Sequence, residues 1–310
     1  MRTVLKALSY GEIHVTSSRV FANIKAIDPM KPFYKTIDTK IYNDGHEVPI
    51  RIYMPSEDTL RIEGMSGNTL PVLLFMHGGG WITEGVETYD RVCAALAKNT
   101  GHVVVSVSYR LAPEHPFPAG LHDCYAVAKA IYTNRFLLNV DPDRITIIGD
   151  SAGGNLTAAL SLMARDRGEF MPKRQILIYP ALNNDYSEHS IYQSVTDNGT
   201  DFLLTRQKLV QYLDLYQNTQ EDRQNPYFAP LIAEDLSHQP RTLIITAEFD
   251  PLRDEGEAYG KRLLEAGVEV SVHRIKDALH GFFALGIKYL HVEESFKIIN
   301  QFLNEEKNSV

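Results

Sequence analysis

The chain has 310 residues, 44% hydrophobic and 23% charged, with 31 Lys+Arg against 39 Asp+Glu and a formal net charge of −8. That composition is ordinary for a globular protein with a large core, and the acidic balance argues against nucleic acid or an anionic membrane as partner. Only Cys93 and Cys124 are present, which excludes a disulfide framework and leaves two buried free thiols in a reducing compartment as the expectation.

The first 20 residues scatter Arg2, Lys6, Glu12, His14 and Arg19 among apolar residues, so no signal-peptide core can be drawn. Residues 1–35 show weak helical patterning before any strand. Short apolar or β-branched runs then recur at 50–54, 72–76, 103–107, 145–148, 175–179, 242–247 and 268–275, and read as strands. The longest clean apolar run, 70–76, is far too short to span a membrane, and a soluble, cytoplasmic protein is expected. Helical spacing links Tyr89, Val92, Cys93, Leu96 and Ala97, and again Leu121, Cys124, Tyr125, Ala128 and Ile131. Another helix starts near Asn155 and stops at Arg167-Gly168, and a last one covers 288–304. Strand and helix in alternation predict an α/β fold, one mostly parallel sheet flanked by helices, from about Thr36 onward. Two stretches interrupt the alternation. Residues 56–68 read as a polar loop, and 183–223 is polar and rich in tyrosine, with a helix from Thr205 on. Long insertions between sheet elements are often lids over a site; the alternative is a surface helix pair with no part in chemistry.

Gly149-Asp150-Ser151-Ala152-Gly153 follows one predicted strand and opens a helix, the context that G-x-S-x-G requires. The helix N-terminus adds amide donors beside a serine nucleophile. His77-Gly78-Gly79-Gly80-Trp81 follows another strand, and its glycines leave backbone N–H groups open to an oxyanion. A serine nucleophile needs a base, and the base an orienting acid. His280 is the best-placed base, in a loop after the last predicted strand, whereas His273 alternates within that strand. Asp250 follows the strand at 242–247 and precedes Pro251; Glu248, Asp254 and Glu255 are its rivals for the acid, the last two better read as first-turn residues of a helix. Neither a P-loop nor a G-x-G-x-x-G is completed, because Asn155, Leu156 and Thr83 stand at the required positions. No H-E-x-x-H or paired cysteines occur, so no cofactor and no metal are implied.

The ordered motifs at 77–81, 108–114, 149–155, 250–255 and 280–282 resemble the hormone-sensitive-lipase-like family of α/β-hydrolase carboxylesterases across nearly the whole chain. The resemblance implies Ser151 as nucleophile, His280 as base and Asp250 as orienting acid. It implies Gly79, Gly80 and Ala152 as amide donors of the oxyanion hole, with Gly78 shaping that loop. It makes residues 1–35 the N-terminal part of a helical cap and 183–223 the cap insertion. Residues 36–182 and 224–310 then form the α/β-hydrolase core of a single catalytic domain. The substrate it implies is a small ester; relatives are often homodimers joined at the sheet edge, and the strand at 268–274 fits either state. An amidase or deacetylase on small N-acyl compounds would use the same residues, and a non-catalytic small-ligand receptor would lack the base that His280 supplies.

Overall fold

The computed structural model describes residues 13–26, 31, 34–58, 69–133, 140–285 and 289–305. Its strands are β1 (Thr36–Asn43), β2 (His46–Tyr53), β3 (Val72–Met76), β4 (Val103–Val107), β5 (Ile145–Asp150), β6 (Arg174–Ile178), β7 (Arg241–Phe249) and β8 (Val270–Leu279). They form one eight-stranded sheet in the order β1-β2-β4-β3-β5-β6-β7-β8. The pairs β1/β2 and β2/β4 are antiparallel, and every pair from β4 to β8 is parallel. The expected mostly parallel sheet is therefore present.

Helices α1 (Val15–Lys25), α2 (Asp90–Thr100), α3 (Ala119–Tyr132), α4 (Ala152–Arg167), α5 (Gln193–Asn198), α6 (Arg206–Tyr216), α7 (Arg253–Glu265) and α8 (Leu290–Asn304) surround it. Strands β3 to β6 are buried along their whole length, which is why their sequences are apolar runs rather than alternations. Successive side chains still part to opposite faces. Leu73 and Phe75 pack with Val92, Cys93 and Leu96 of α2 and Ile299 of α8. Leu74 and Met76 pack with Leu121 and Cys124 of α3 and Leu156 of α4. Leu177 and Ile244 meet Leu162 of α4 and Tyr259 of α7. Both cysteines are buried and free. Helices α2 and α4 end on left-handed glycines, Gly101 (φ 71°) and Gly168 (φ 65°), whose N–H groups close the last turns.

Two elements differ from expectation. Strand β1 is absent from the predicted set because it is exposed or half-buried at every position, leaving no apolar alternation to detect. Its signal is the turn into β2, where Asp44 and Gly45 (φ 46° and 82°) supply the two positive φ values of a tight hairpin. Strand β8 continues past 275 to Leu279, which pairs with Phe249 beyond a register shift, where the two steps from Ala247 to Phe249 match the four from Ile275 to Leu279. That extension carries the chain directly to His280.

The insertion between β6 and β7 contributes α5 and α6. Leu209, Leu213 and Tyr216 of α6 are buried with Trp81, Phe117 and Phe228, and the Trp81 and Tyr216 rings stack 4.4 Å apart. Helix α1 is tied on by Arg19, which donates to the carbonyls of Ile82 and Ala112 and forms a two-pronged pair with Glu114. The Ile13 N–H, two residues before α1, donates to Gln211 Oε1 of α6 at 3.2 Å, which ties the lead-in to α1 to that helix. Of the predicted N-terminal segment, residues 1–12, 27–30 and 32–33 lie outside the described residues, as do 59–68 of the loop at 56–68. Among the described residues no helix is long and apolar enough to cross a membrane.

Candidate active site

Ser151, Asp250 and His280 each stand immediately after the last residue of a strand: β5, β7 and β8 respectively. All three strands run parallel, so their C-terminal ends open at the same edge of the sheet, the usual position for a site in this architecture.

The serine sits in a strained turn. Its backbone is at φ 54°, ψ −118°, a region that non-glycine residues seldom occupy. The turn closes because its flanking residues have no Cβ: one on Gly149 would fall 2.3 Å from the Gly153 carbonyl oxygen, and one on Gly153 would fall 2.0 Å from that of Met76. The second contact seats the first turn of α4 against the start of the His77–Trp81 loop.

Ser151 Oγ lies 2.9 Å from His280 Nε2, and His280 Nδ1 lies 2.7 Å from Asp250 Oδ2. A carboxylate can only accept, so the proton sits on Nδ1 and the Nε2 lone pair faces the serine hydroxyl. Asp250 is fully buried, and its other oxygen accepts the Leu252 N–H at 2.9 Å. The rival acids are engaged elsewhere. Glu248 accepts the Asp277 N–H, Asp254 accepts the Ser194 N–H and pairs with Arg253, and Glu255 turns back to residues 182–186. His273 is exposed on β8.

Among the described residues the amides of Gly79, Gly80 and Ala152 donate to no protein acceptor. The Gly78 amide is committed, donating to Asp150 Oδ1 at 2.9 Å, so Gly78 is not among the open donors and fits the loop-shaping part. His77 stiffens the same loop. Its ring contacts the Gly78 carbonyl at 2.8 Å through Nδ1 and stacks on Tyr109, whose hydroxyl donates to the His77 carbonyl at 2.7 Å. Burial holds the His77 imidazole down at about 4, so it is neutral. From the insertion, Tyr212 covers the loop, its ring so close to Gly80 that a Cβ there would fall within 2.4 Å. A cavity of about 530 Å³ opens between α1 and the chain at 84–88 and 111–115; neither Ser151 nor His280 lines it.

Some participants carry no distinctive sequence signal. Glu255 is a first-turn residue of α7, as its position suggests, yet it is fully buried. Its Oε1 accepts the N–H groups of Leu182 (2.6 Å) and Asn183 (3.3 Å) and the Tyr186 hydroxyl (2.9 Å), fixing the root of the insertion. Burial pushes its carboxyl up to about 8 against those hydrogen bonds, with the charge of Asp250 adding to the rise. Ser194 and Asn198 of α5 donate to the carbonyls of Pro251 and Asp250, so the insertion grips the loop that bears the acid.

A family model described as alpha/beta hydrolase fold matches residues 73–284. The chain is 39% identical over 255 residues to an arylesterase of Saccharolobus solfataricus, covering 82% of this chain and 79% of that protein. It is 31% identical over 263 residues to an ethyl acetate hydrolase of Pseudomonas putida, covering 84% and 80%. A hyperthermophilic esterase from Pyrobaculum calidifontis superposes with a TM-score of 0.85 at 37% identity, over 99% of this chain and 97% of that one.

Proposed function

Because the chain belongs to the hormone-sensitive-lipase-like family of α/β-hydrolase carboxylesterases and is a carboxylic ester hydrolase, we propose that it hydrolyses small, short-chain acyl esters through a Ser151-His280-Asp250 triad and an acyl-enzyme. The observation that carries this reading is the unbroken chain of contacts from Asp250 Oδ2 through both nitrogens of His280 to Ser151 Oγ, at 2.7 and 2.9 Å.

As Ser151 Oγ attacks the ester carbonyl, His280 Nε2 takes its proton, and Asp250 steadies the imidazolium that forms. The developing oxyanion is met by the open amides of Gly79, Gly80 and Ala152. Each such donor contributes about 3–4 kcal/mol to the transition state, because it is fixed before charge develops. His280 then protonates the leaving alcohol. In the second half, His280 draws a proton from water, which attacks the acyl carbonyl and releases the acid and the free serine. Among the described residues, those of 183–223 with those of 1–35 act as a cap over those of the 36–182 and 224–310 core. Support for that division comes from Tyr212 lying on Gly80 and from the Ile13 N–H, just before α1, donating to Gln211 of α6. Tyr212 lying against Gly80 of the oxyanion loop favours a compact acyl group, and the ethyl acetate hydrolase among the relatives is consistent with that choice.

Hydrolysis of a p-nitrophenyl ester series from acetate to palmitate, beside a matched anilide, tests the reading. Turnover should peak at short acyl chains, exceed that of the anilide, and vanish in Ser151→Ala. A preference for palmitate or for the anilide would overturn the proposed substrate class.

A further inference from the structure

The residue before the nucleophile is an aspartate buried at the end of an otherwise apolar strand. Every residue of β5 is buried, and Asp150 is 2% exposed. A carboxylate in that position loses hydration and needs donors to replace it. It has donors from three separate elements. Gly78 N–H of the loop after β3 donates to Oδ1 at 2.9 Å. The Tyr89 hydroxyl, from the residue capping α2, donates to Oδ2 at 2.8 Å, and the Tyr179 hydroxyl, just after β6, reaches the same oxygen at 3.3 Å. Gly78 admits this arrangement, since a Cβ there would fall 2.8 Å from both Asp150 Oδ2 and the Tyr89 hydroxyl.

These contacts reach both halves of the chemistry. The Gly78 bond fixes the peptide that leads into the open amides of Gly79 and Gly80. Tyr179 carries the connection to the base: its ring centroid is 4.8 Å from that of His280, and it also packs on Phe282. One side chain is thus joined to the nucleophile by the backbone, to the oxyanion loop by a hydrogen bond, and to the histidine ring through one tyrosine.

We propose that Asp150 is a positioning residue for ester hydrolysis, its ionised carboxylate holding the 78–80 loop in register with Ser151 and supplying a second negative charge that faces His280. The proposal rests on the triad and oxyanion-hole reading given above. The titratable groups facing Asp150 are His280 after β8, Tyr89 and Cys93 on the α2 side, Tyr179 after β6 and Tyr109 after β4, and the charge of Asp250 also reaches Tyr179. Burial pushes the Asp150 carboxyl up to about 6, against the Tyr89 hydroxyl, the charge of His280, the Gly78 amide and the Tyr179 hydroxyl, which all favour the ionised form. The carboxylate is therefore charged at neutral pH and above, and its protonation falls within the pH 5 to 9 range of the assay below.

Two substitutions move this balance in opposite directions. Asp150→Asn keeps an oxygen for the Gly78 amide but removes the charge. Tyr89→Phe keeps the charge but removes a donor that favours it. Both proteins, checked for folding by circular dichroism and thermal melting, would be assayed with p-nitrophenyl acetate from pH 5 to 9. In Asp150→Asn, kcat at pH 8 should fall about tenfold with KM within about twofold, less than the loss of a whole oxyanion donor. The acid limb of its kcat/KM profile should move to lower pH, because a group that must be ionised is gone. In Tyr89→Phe the same limb should move to higher pH. Folded variants with wild-type kcat and unmoved acid limbs would overturn the proposal and leave Asp150 a structural residue. Should Asp150→Asn fail to fold, the direction of the Tyr89→Phe shift decides alone. Stoichiometric labelling of wild-type Ser151 by an active-site phosphonate, run in parallel, separates failure of the triad reading from failure of this one.

Discussion

At Ser151 the fold holds a side chain in a backbone conformation that costs on the order of 1–3 kcal/mol, and the close contacts of Gly149 and Gly153 are what maintain it. The same logic governs its partners, where burial rather than intrinsic chemistry sets the properties. Asp250 is dry and bonded to a single imidazole nitrogen, so it selects one tautomer of His280. Asp250→Asn should therefore fold normally yet lose about 10⁴-fold in kcat, the size seen when a triad acid elsewhere is neutralised. Turnover within tenfold of wild type would remove Asp250 from the triad. Glu255 yields a prediction about stability instead. Its carboxyl ionises near 8 in the native protein against 4.5 ordinarily, so the folded state binds the extra proton between those values. Its stabilising effect is complete below 4.5 and is lost as pH rises toward 8. Glu255→Gln cannot titrate, so its Tm should fall less than that of wild type between pH 6 and 8. Parallel Tm curves for the two proteins over that interval would contradict the assignment.

Among the elements, those whose sequences were easiest to read are those buried on both faces. Strands β3 to β6 and helices α2, α3 and α4 announce themselves as apolar runs, helical spacing and terminal glycines, and both chemical motifs sit at their junctions. Strand β1 offered only an Asp-Gly turn, and α5 is too short and polar to show a period. Asp250 and His280 could be placed by the strands they follow. Asp150, Tyr89 and Tyr179 could not be joined, because their meeting depends on three elements far apart in the chain; the one local hint was a charge at the end of an apolar strand. The docking of α1 was likewise invisible, since it depends on Arg19 meeting two carbonyls and Glu114. An exposed ion pair alone is worth little, but the carbonyl contacts are half-buried. Arg19→Ala should therefore free α1 for limited proteolysis and raise KM while leaving kcat within about twofold, as expected when a binding wall rather than the reacting centre is loosened. Unchanged protease sensitivity would show that α1 is held by other contacts. In α6, Leu213→Ala should cost about 2–5 kcal/mol, because that side chain is 1% exposed in the cluster with Trp81 and Phe117.

For the whole molecule, the sheet and the insertion form one connected structure rather than a core with a loose flap. Glu255 holds the insertion at its root, and Ser194 and Asn198 hold it to the acid loop. Hydrogen exchange should then find the amides of Leu182 and Ser194, both bonded to buried or half-buried carboxylates, protected on the timescale of the sheet, with the N-terminal helix exchanging first. Rapid exchange at both would argue for an independently opening lid. The most direct test of the central claim is mass spectrometry of the intact protein and its peptides after treatment with an active-site phosphonate. The account predicts one adduct per chain, on the Ser151 peptide, formed in step with the loss of esterase activity and absent in Ser151→Ala. An adduct on another residue, or full esterase activity in Ser151→Ala, would contradict it.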